Sequence, residues 1–101
     1  MNRRTWKKEE HRIAKELGTN RALGTDGKGD ILHDIFLLDS KLRERWNVQR
    51  WFQELRKEAD SKSKIPVLVC RQPRKHMRLA VMSFDNFVSL AKGAGFVSDD
   101  P

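Results

Sequence analysis

The chain has 101 residues, with 21 Lys and Arg against 14 Asp and Glu and a net charge of +7. A domain this short buries about two-thirds of the surface its unfolded chain exposes, which allows one core of two or three layers and excludes a multidomain reading. No apolar run reaches 18 residues and the first stretch, MNRRTWKKEEHR, is basic and polar, so neither a membrane span nor a secretory leader is expected. Cys70 stands alone, which excludes an internal disulfide and a cysteine-based zinc site and fits a reducing, cytoplasmic setting.

The charge is unevenly placed: residues 1–84 carry 20 bases and 11 acids, while residues 85–101 carry one base and three acids. The body is therefore more cationic than the total, and a cationic body favours polyanionic partners by steering and by release of counterions condensed on phosphates. An anionic membrane surface competes poorly, because no segment combines a basic face with a bulky apolar one.

In chain order, residues 5–18 predict a helix with Thr5 as N-cap, Gly18 as stop and Trp6, Ile13, Ala14 and Leu17 as its apolar stripe. Glu10 falls on that stripe, four residues after Trp6 and three before Ile13, and a carboxylate on a buried face needs a partner. A base such as Arg21 would satisfy it. The glycine-rich LGTDGKG (23–29) reads as a loop; it lacks the Gly-Lys-Ser/Thr of a phosphate-binding loop, and an EF-hand would need its closing Glu at Leu37.

DILHDIFLLDSK (30–41) is rich in large apolar residues and predicts two short strands turning at His33 and Asp34, or one bent strand. Strand alternation sets Ile35, Leu37, Asp39 and Lys41 on one face. LRERWN connects to a helix over about 48–60 whose stripe is Val48, Trp51, Phe52, Leu55 and Ala59. DSKSK ends it, and the unbroken IPVLVC (65–70) suits a central strand buried on both faces, with Pro66 tolerated near its start. RQPRKH forms a turn, MRLAVM (77–82) a hairpin partner, and Ser83 caps a last helix with Phe84, Phe87, Val88 and Ala91 as its stripe, stopped by Gly93. Residues 94–101 read as an acidic tail on a single domain spanning 1–101. The order α-β-β-α-β-β-α describes an α/β domain around a central mixed sheet.

Three features carry chemistry: the stripe-facing Glu10, Asp30 opening a strand after glycines, and Asp39-Ser40-Lys41 closing the next strand segment. Carboxylates hold Mg²⁺ through oxygen, and the metal polarises a phosphate and acidifies a bound water. An ammonium two residues from a ligand acid orients that water or offsets charge on the pentavalent transition state. An isolated D-x-K triplet is usually a solvated strand end; nine residues after an acid and inside an apolar strand, it points to metal-dependent phosphodiester hydrolysis.

On these residues the chain resembles the PD-(D/E)xK nuclease superfamily, and within it the small Holliday junction resolvases of archaea and bacteriophages. The resemblance runs from EHRIAKELGTNR through GDILHDIFLLDSK and IPVLVCRQPRKHMRLAVM to SFDNFVSLAK. It implies a restriction-endonuclease-like sandwich, with a helix Glu, a strand Asp and an acid-x-Lys falling on Glu10, Asp30, Asp39 and Lys41. Glu10, Asp30 and Asp39, with Ser40 between the motif residues, would form the shell of one or two Mg²⁺ ions, Mn²⁺ substituting. Gly29 replaces the motif's Pro, and Asp39 replaces the more frequent Glu with a shorter arm; Glu9 and Glu16 are the alternatives to Glu10. His33 could contact metal or phosphate, though a hairpin-tip surface histidine is the simpler reading.

The implied substrate is a four-way DNA junction. Phosphate contacts would come from Arg3, Arg4, Lys7, Lys8, Arg21, Lys28, Arg43, Arg45, Arg71, Arg74 and Lys75, reading backbone path rather than bases. Trp46 would stack on a base or pack in the core or at a subunit contact. Paired nicks on opposed strands imply a homodimer, working in the host cytoplasm if the chain is viral. The rival readings are a nuclease of the same chemistry acting on nicked, flapped, mismatched or linear duplex DNA, and a non-catalytic nucleic-acid-binding module.

Overall fold

The computed structural model describes residues 3–18 and 31–98, with backbone alone for residues 3–6 and Leu32. The Leu23–Gly29 loop, Arg21, Lys28, Asp30 and the last three residues lie outside the described residues. The elements are α1 (Arg3–Glu16), β1 (Ile31–Leu32), β2 (Phe36–Leu42), α2 (Val48–Ser61), β3 (Ile65–Arg71), β4 (Leu79–Val81) and α3 (Phe84–Gly93). The four strands form one mixed sheet in the order β1-β2-β3-β4, with β2 and β3 parallel and the outer pairs antiparallel. Parallel pairing requires a crossover, and α2 supplies it. No helix among the described residues is long and apolar enough to cross a membrane.

Two apolar layers lie on the two sides of the sheet. Leu37, Leu68 and Cys70 pack against Trp51, Leu55 and Ala59 of α2. Ile31, Leu38 and Val67 pack against Ile13 and Ala14 of α1. The split follows from the two-residue strand period, which sends Leu37 and Leu38 to opposite faces. β3 faces a layer on each side, as its unbroken apolar run requires, and Pro66 sits one residue into it, in register with Leu37.

Local chemistry sets most of the boundaries. Asn47 caps α2, its side chain accepting from the Arg50 N–H at 3.3 Å, and Ser83 caps α3 by accepting from the Asn86 N–H at 3.2 Å. The first helix starts at Arg3, so Thr5 lies inside it rather than capping it. It does end before Gly18, whose φ of +69° is the left-handed conformation that glycine tolerates. The last helix runs through Gly93 and is stopped instead by Gly95, at φ +83°. There the N–H groups of Gly95 and Phe96 donate to the carbonyls of Lys92 and Ala91 at 3.0 and 2.9 Å, the double bond of a Schellman close. Residues 94–96, read from sequence as the start of a tail, are thus the cap of α3.

The stripe predicted for α3 is not buried. Phe84 is 74% and Phe87 55% exposed, Val88 and Ala91 are half-buried, and the helix buries no residue fully. The hairpin partner is also shorter than its apolar text, since Met77 and Arg78 precede the strand.

Candidate active site

The Asp39–Lys41 pair lies on the α2 side of β2. Alternation places both residues on the face of Leu37, and Lys41 Nζ stands 3.2 Å from Asp39 Oδ2. The Lys41 ammonium also sits 5.8 Å from the centre of the Trp51 ring, a cation–π contact that holds its stem against α2. In register, Asp39 is beside Leu68 and Lys41 beside Cys70. The Asp39 side chain is only 17% exposed.

Burial is the dominant influence on Asp39 and raises its carboxyl above the ordinary aspartate range, against the attraction of Lys41 and a hydrogen bond from it. Glu58 on α2 adds a smaller upward push and Arg43 a downward one. The same desolvation, with the Asp39 charge behind it, raises the Cys70 thiol. Sequence reading missed Glu58; its place three residues after Leu55 on the α2 stripe was the available signal.

The chain enters the sheet next to this pair. β1 begins at Ile31, which is in antiparallel register with Leu38, the residue before Asp39. A divalent cation suits the donor chemistry here, because a desolvated carboxylate only partly compensated by one ammonium gains from a second positive charge, and Mg²⁺ is commonly held by one or two carboxylates plus substrate oxygens. Among the described residues no three His, Cys, Asp or Glu side chains gather at one point, and Asp30 lies outside them.

Glu10 is wholly buried, as its stripe position predicts, on the helix whose Ile13 and Ala14 pack against the sheet. Asp39 and Lys41 lie on the face of β2 that α2 covers. The helices that carry Glu10 and that flank Asp39 cover opposite faces of the sheet. The Ser40 side chain, buried at 2% exposure, likewise points to the α1 side by alternation. Of the alternatives to Glu10, Glu16 is exposed and bound by Arg78 at 2.5 and 2.9 Å, which holds its carboxyl below the usual range.

Glu9 is also buried, and Arg71 claims it. The Arg71 Nε and Nη2 donate to Glu9 Oε1 and Oε2 at 3.2 and 2.9 Å, and Nη1 donates to the Lys75 carbonyl at 2.7 Å. Arg71, expected among the phosphate contacts, is 16% exposed and turned inward as a clamp between α1 and the end of β3. A guanidinium whose fork is filled by a buried carboxylate has its best phosphate-binding edge occupied.

The other bases gather at the end this clamp defines. Lys7 and Lys8 are exposed and precede Glu9 on α1; Arg43, Arg45, Arg74 and Lys75 are exposed on the two loops that leave β2 and β3. Those loops are tied together, the Arg43 N–H donating to the Arg71 carbonyl at 3.1 Å and Gln72 Nε2 to the Glu44 carbonyl at 3.0 Å. Trp46 is not in the core: its indole N–H donates to the Arg43 carbonyl at 3.0 Å and braces this loop. His33 sits at the hairpin turn, its Nδ1 accepting from the Ile35 N–H at 3.1 Å. Arg3 and Arg4 belong to α1, with side chains outside the described set.

Comparisons with protein-family models, with curated proteins and with solved structures each return no match.

Proposed function

We propose that this chain is a Mg²⁺-dependent DNA endonuclease that resolves four-way junctions, with a restriction-endonuclease-like α/β core. The observation that carries the reading is the Asp39–Lys41 pair: same strand face, 3.2 Å apart, desolvated, and close to a cluster of exposed bases. The bases lie where the parallel strands β2 and β3 end, the side of an open α/β sheet that generally receives ligands.

Asp39 is the metal-holding carboxylate, and Asp30 is assigned as its companion from the sequence resemblance. When bound, the cation polarises the scissile phosphate and acidifies the attacking water. Lys41 is held by Asp39 and Trp51 with its ammonium ready to offset charge that develops on the phosphorane oxygens. Lys7, Lys8, Arg43, Arg45, Arg74 and Lys75 bind phosphates along the backbone path of the substrate. Glu10, buried on α1, is assigned with Asp30 from the sequence resemblance as a further carboxylate of the site.

The test compares Mg²⁺-dependent cleavage of a four-way junction with that of linear duplex of the same sequence, including Mn²⁺ as a second metal. Asp39→Asn and Lys41→Ala should each lower cleavage by about 100-fold or more while junction binding persists. Equal rates on junction and duplex would move the reading to a nuclease of other DNA. Unchanged function in both variants would leave a non-catalytic binding module.

A further inference from the structure

We propose that the loop leaving β2 and the turn leaving β3 form a site for an unpaired nucleotide, Trp46 stacking on its base and Arg74 holding its phosphate. The Lys75 N–H donates to the Gln72 carbonyl at 3.1 Å, closing a four-residue turn in which Pro73 is second and Arg74, at φ +66°, is third. A turn with positive φ at its third residue suits glycine, and a side chain with a Cβ is strained there. Among the described residues little repays that strain. The Arg74 side chain is 90% exposed, and its ion pair, 3.8 Å to a Glu44 that is 65% exposed, is of the solvated kind that contributes little. Strain kept at an exposed arginine, where glycine would relieve it, points to a ligand that the guanidinium meets.

Trp46 is held on the adjoining loop. Its indole N–H is spent on the Arg43 carbonyl at 3.0 Å, which fixes the ring, yet the residue stays 36% exposed. Among the described residues no aromatic ring or cation pairs with its face. The Arg43 N–H to Arg71 and Gln72 to Glu44 bonds make the two loops one unit. Trp46 is anchored at Arg43 and Arg74 reaches Glu44, the next residue, so ring and guanidinium are tied to adjoining positions.

Charge and stacking select the occupant. Residues 43–46 and 72–75 hold four bases, Arg43, Arg45, Arg74 and Lys75, against one acid, Glu44, and all five are exposed. Such a surface repels its own copy and attracts a polyanion. An indole adds what phosphate contacts lack, because every base has a π-face on which an aromatic ring stacks. Inside a continuous duplex both faces of a base are covered by its neighbours, so the ligand must present an unpaired or terminal base. The choice of DNA rests on the proposed function, and the site narrows its substrate to DNA with at least one unstacked base.

Binding measured without divalent metal tests this apart from cleavage, by fluorescence anisotropy of an oligothymidine of about 12 nucleotides and of a blunt linear duplex. Trp46→Ala should weaken oligothymidine binding about 5- to 100-fold while duplex affinity changes less than about threefold. Trp46→Phe keeps a ring without the N–H and should stay within about threefold of wild type on both. Absence of oligothymidine binding by wild type overturns the proposal, as does a Trp46→Ala effect that is equal on both ligands or absent. Equal losses in Trp46→Phe and Trp46→Ala would also overturn it, since bracing of the loop would then account for the effect. Arg74→Gly should raise the urea midpoint by relaxing the turn and weaken oligothymidine binding; a lower midpoint or unchanged binding would overturn the role of Arg74. A chain that passes these tests yet cleaves no junction keeps this site and loses the nuclease reading, whereas junction cleavage by a chain that fails them does the reverse.

Discussion

Arg71 separates two roles that its sequence position leaves open, a phosphate contact and an internal clamp. Arg71→Met removes the guanidinium but keeps much of the side-chain length, leaving the Glu9 carboxylate, 5% exposed, without the two donors at 3.2 and 2.9 Å. Removing one partner of a buried ion pair costs about 3–5 kcal/mol, because the remaining charge stays desolvated. Arg71 retains some exposure, so the lower end applies, about 3 kcal/mol, out of a total stability of about 5–15 kcal/mol for a domain of ordinary size. At about 4–8 °C per kcal/mol, the melting temperature should fall by about 12–24 °C. Urea unfolding followed by circular dichroism measures the loss. Adding Glu9→Gln to Arg71→Met should recover part of it, since no charge is then stranded, giving a coupling energy of about 1 kcal/mol or more across the cycle. If Arg71 instead binds phosphate, Arg71→Met would leave stability within about 1 kcal/mol and lower the salt dependence of DNA binding by about one counterion. That pair of results would refute the clamp.

The remaining predictions concern the site and the last helix. Because burial raises the Asp39 pKa in the fold, the protonated form favours folding, and that contribution is lost as pH rises through the folded pKa. Asp39→Asn should therefore be more stable than wild type at neutral pH, the gap closing below the ordinary aspartate value of 3.8, where both chains are neutral at this position. Denaturant midpoints across pH check it, and no gain at neutral pH would mean that Lys41 fully offsets desolvation. The stabilised variant should also be the inactive one. Ser83→Ala removes the α3 cap and should cost about 1 kcal/mol, seen first as faster amide hydrogen exchange in α3, since this helix is lightly docked. Uniform acceleration across the sheet would show instead that α3 unfolds only with the whole domain.

Much of the fold is local and was legible. The 3.6-residue stripe of α2 and the unbroken apolar run of β3 mark elements found within a residue or so of their expected limits. The alternation of β2 alone places Asp39 and Lys41 side by side. Glu10 on an apolar stripe correctly signals a buried carboxylate, and Ser83 signals a cap.

What periodicity cannot carry is which layer each face meets. A stripe says that Glu10 is inward and a strand period says that Asp39 and Lys41 share a side, but α1 and α2 covering opposite sides of β2 is decided only by packing of the whole sheet. The Arg71–Glu9 clamp joins residues 62 positions apart, beyond any local pattern, and it turns a predicted surface base into a structural one. The stripe of α3 is as regular as that of α2, yet α2 has Leu37, Leu68 and Cys70 beneath it while Phe84 and Phe87 remain outside the two core layers. Amphipathicity is encoded in one segment; burial needs an opposing surface, and that surface is built from residues elsewhere in the chain.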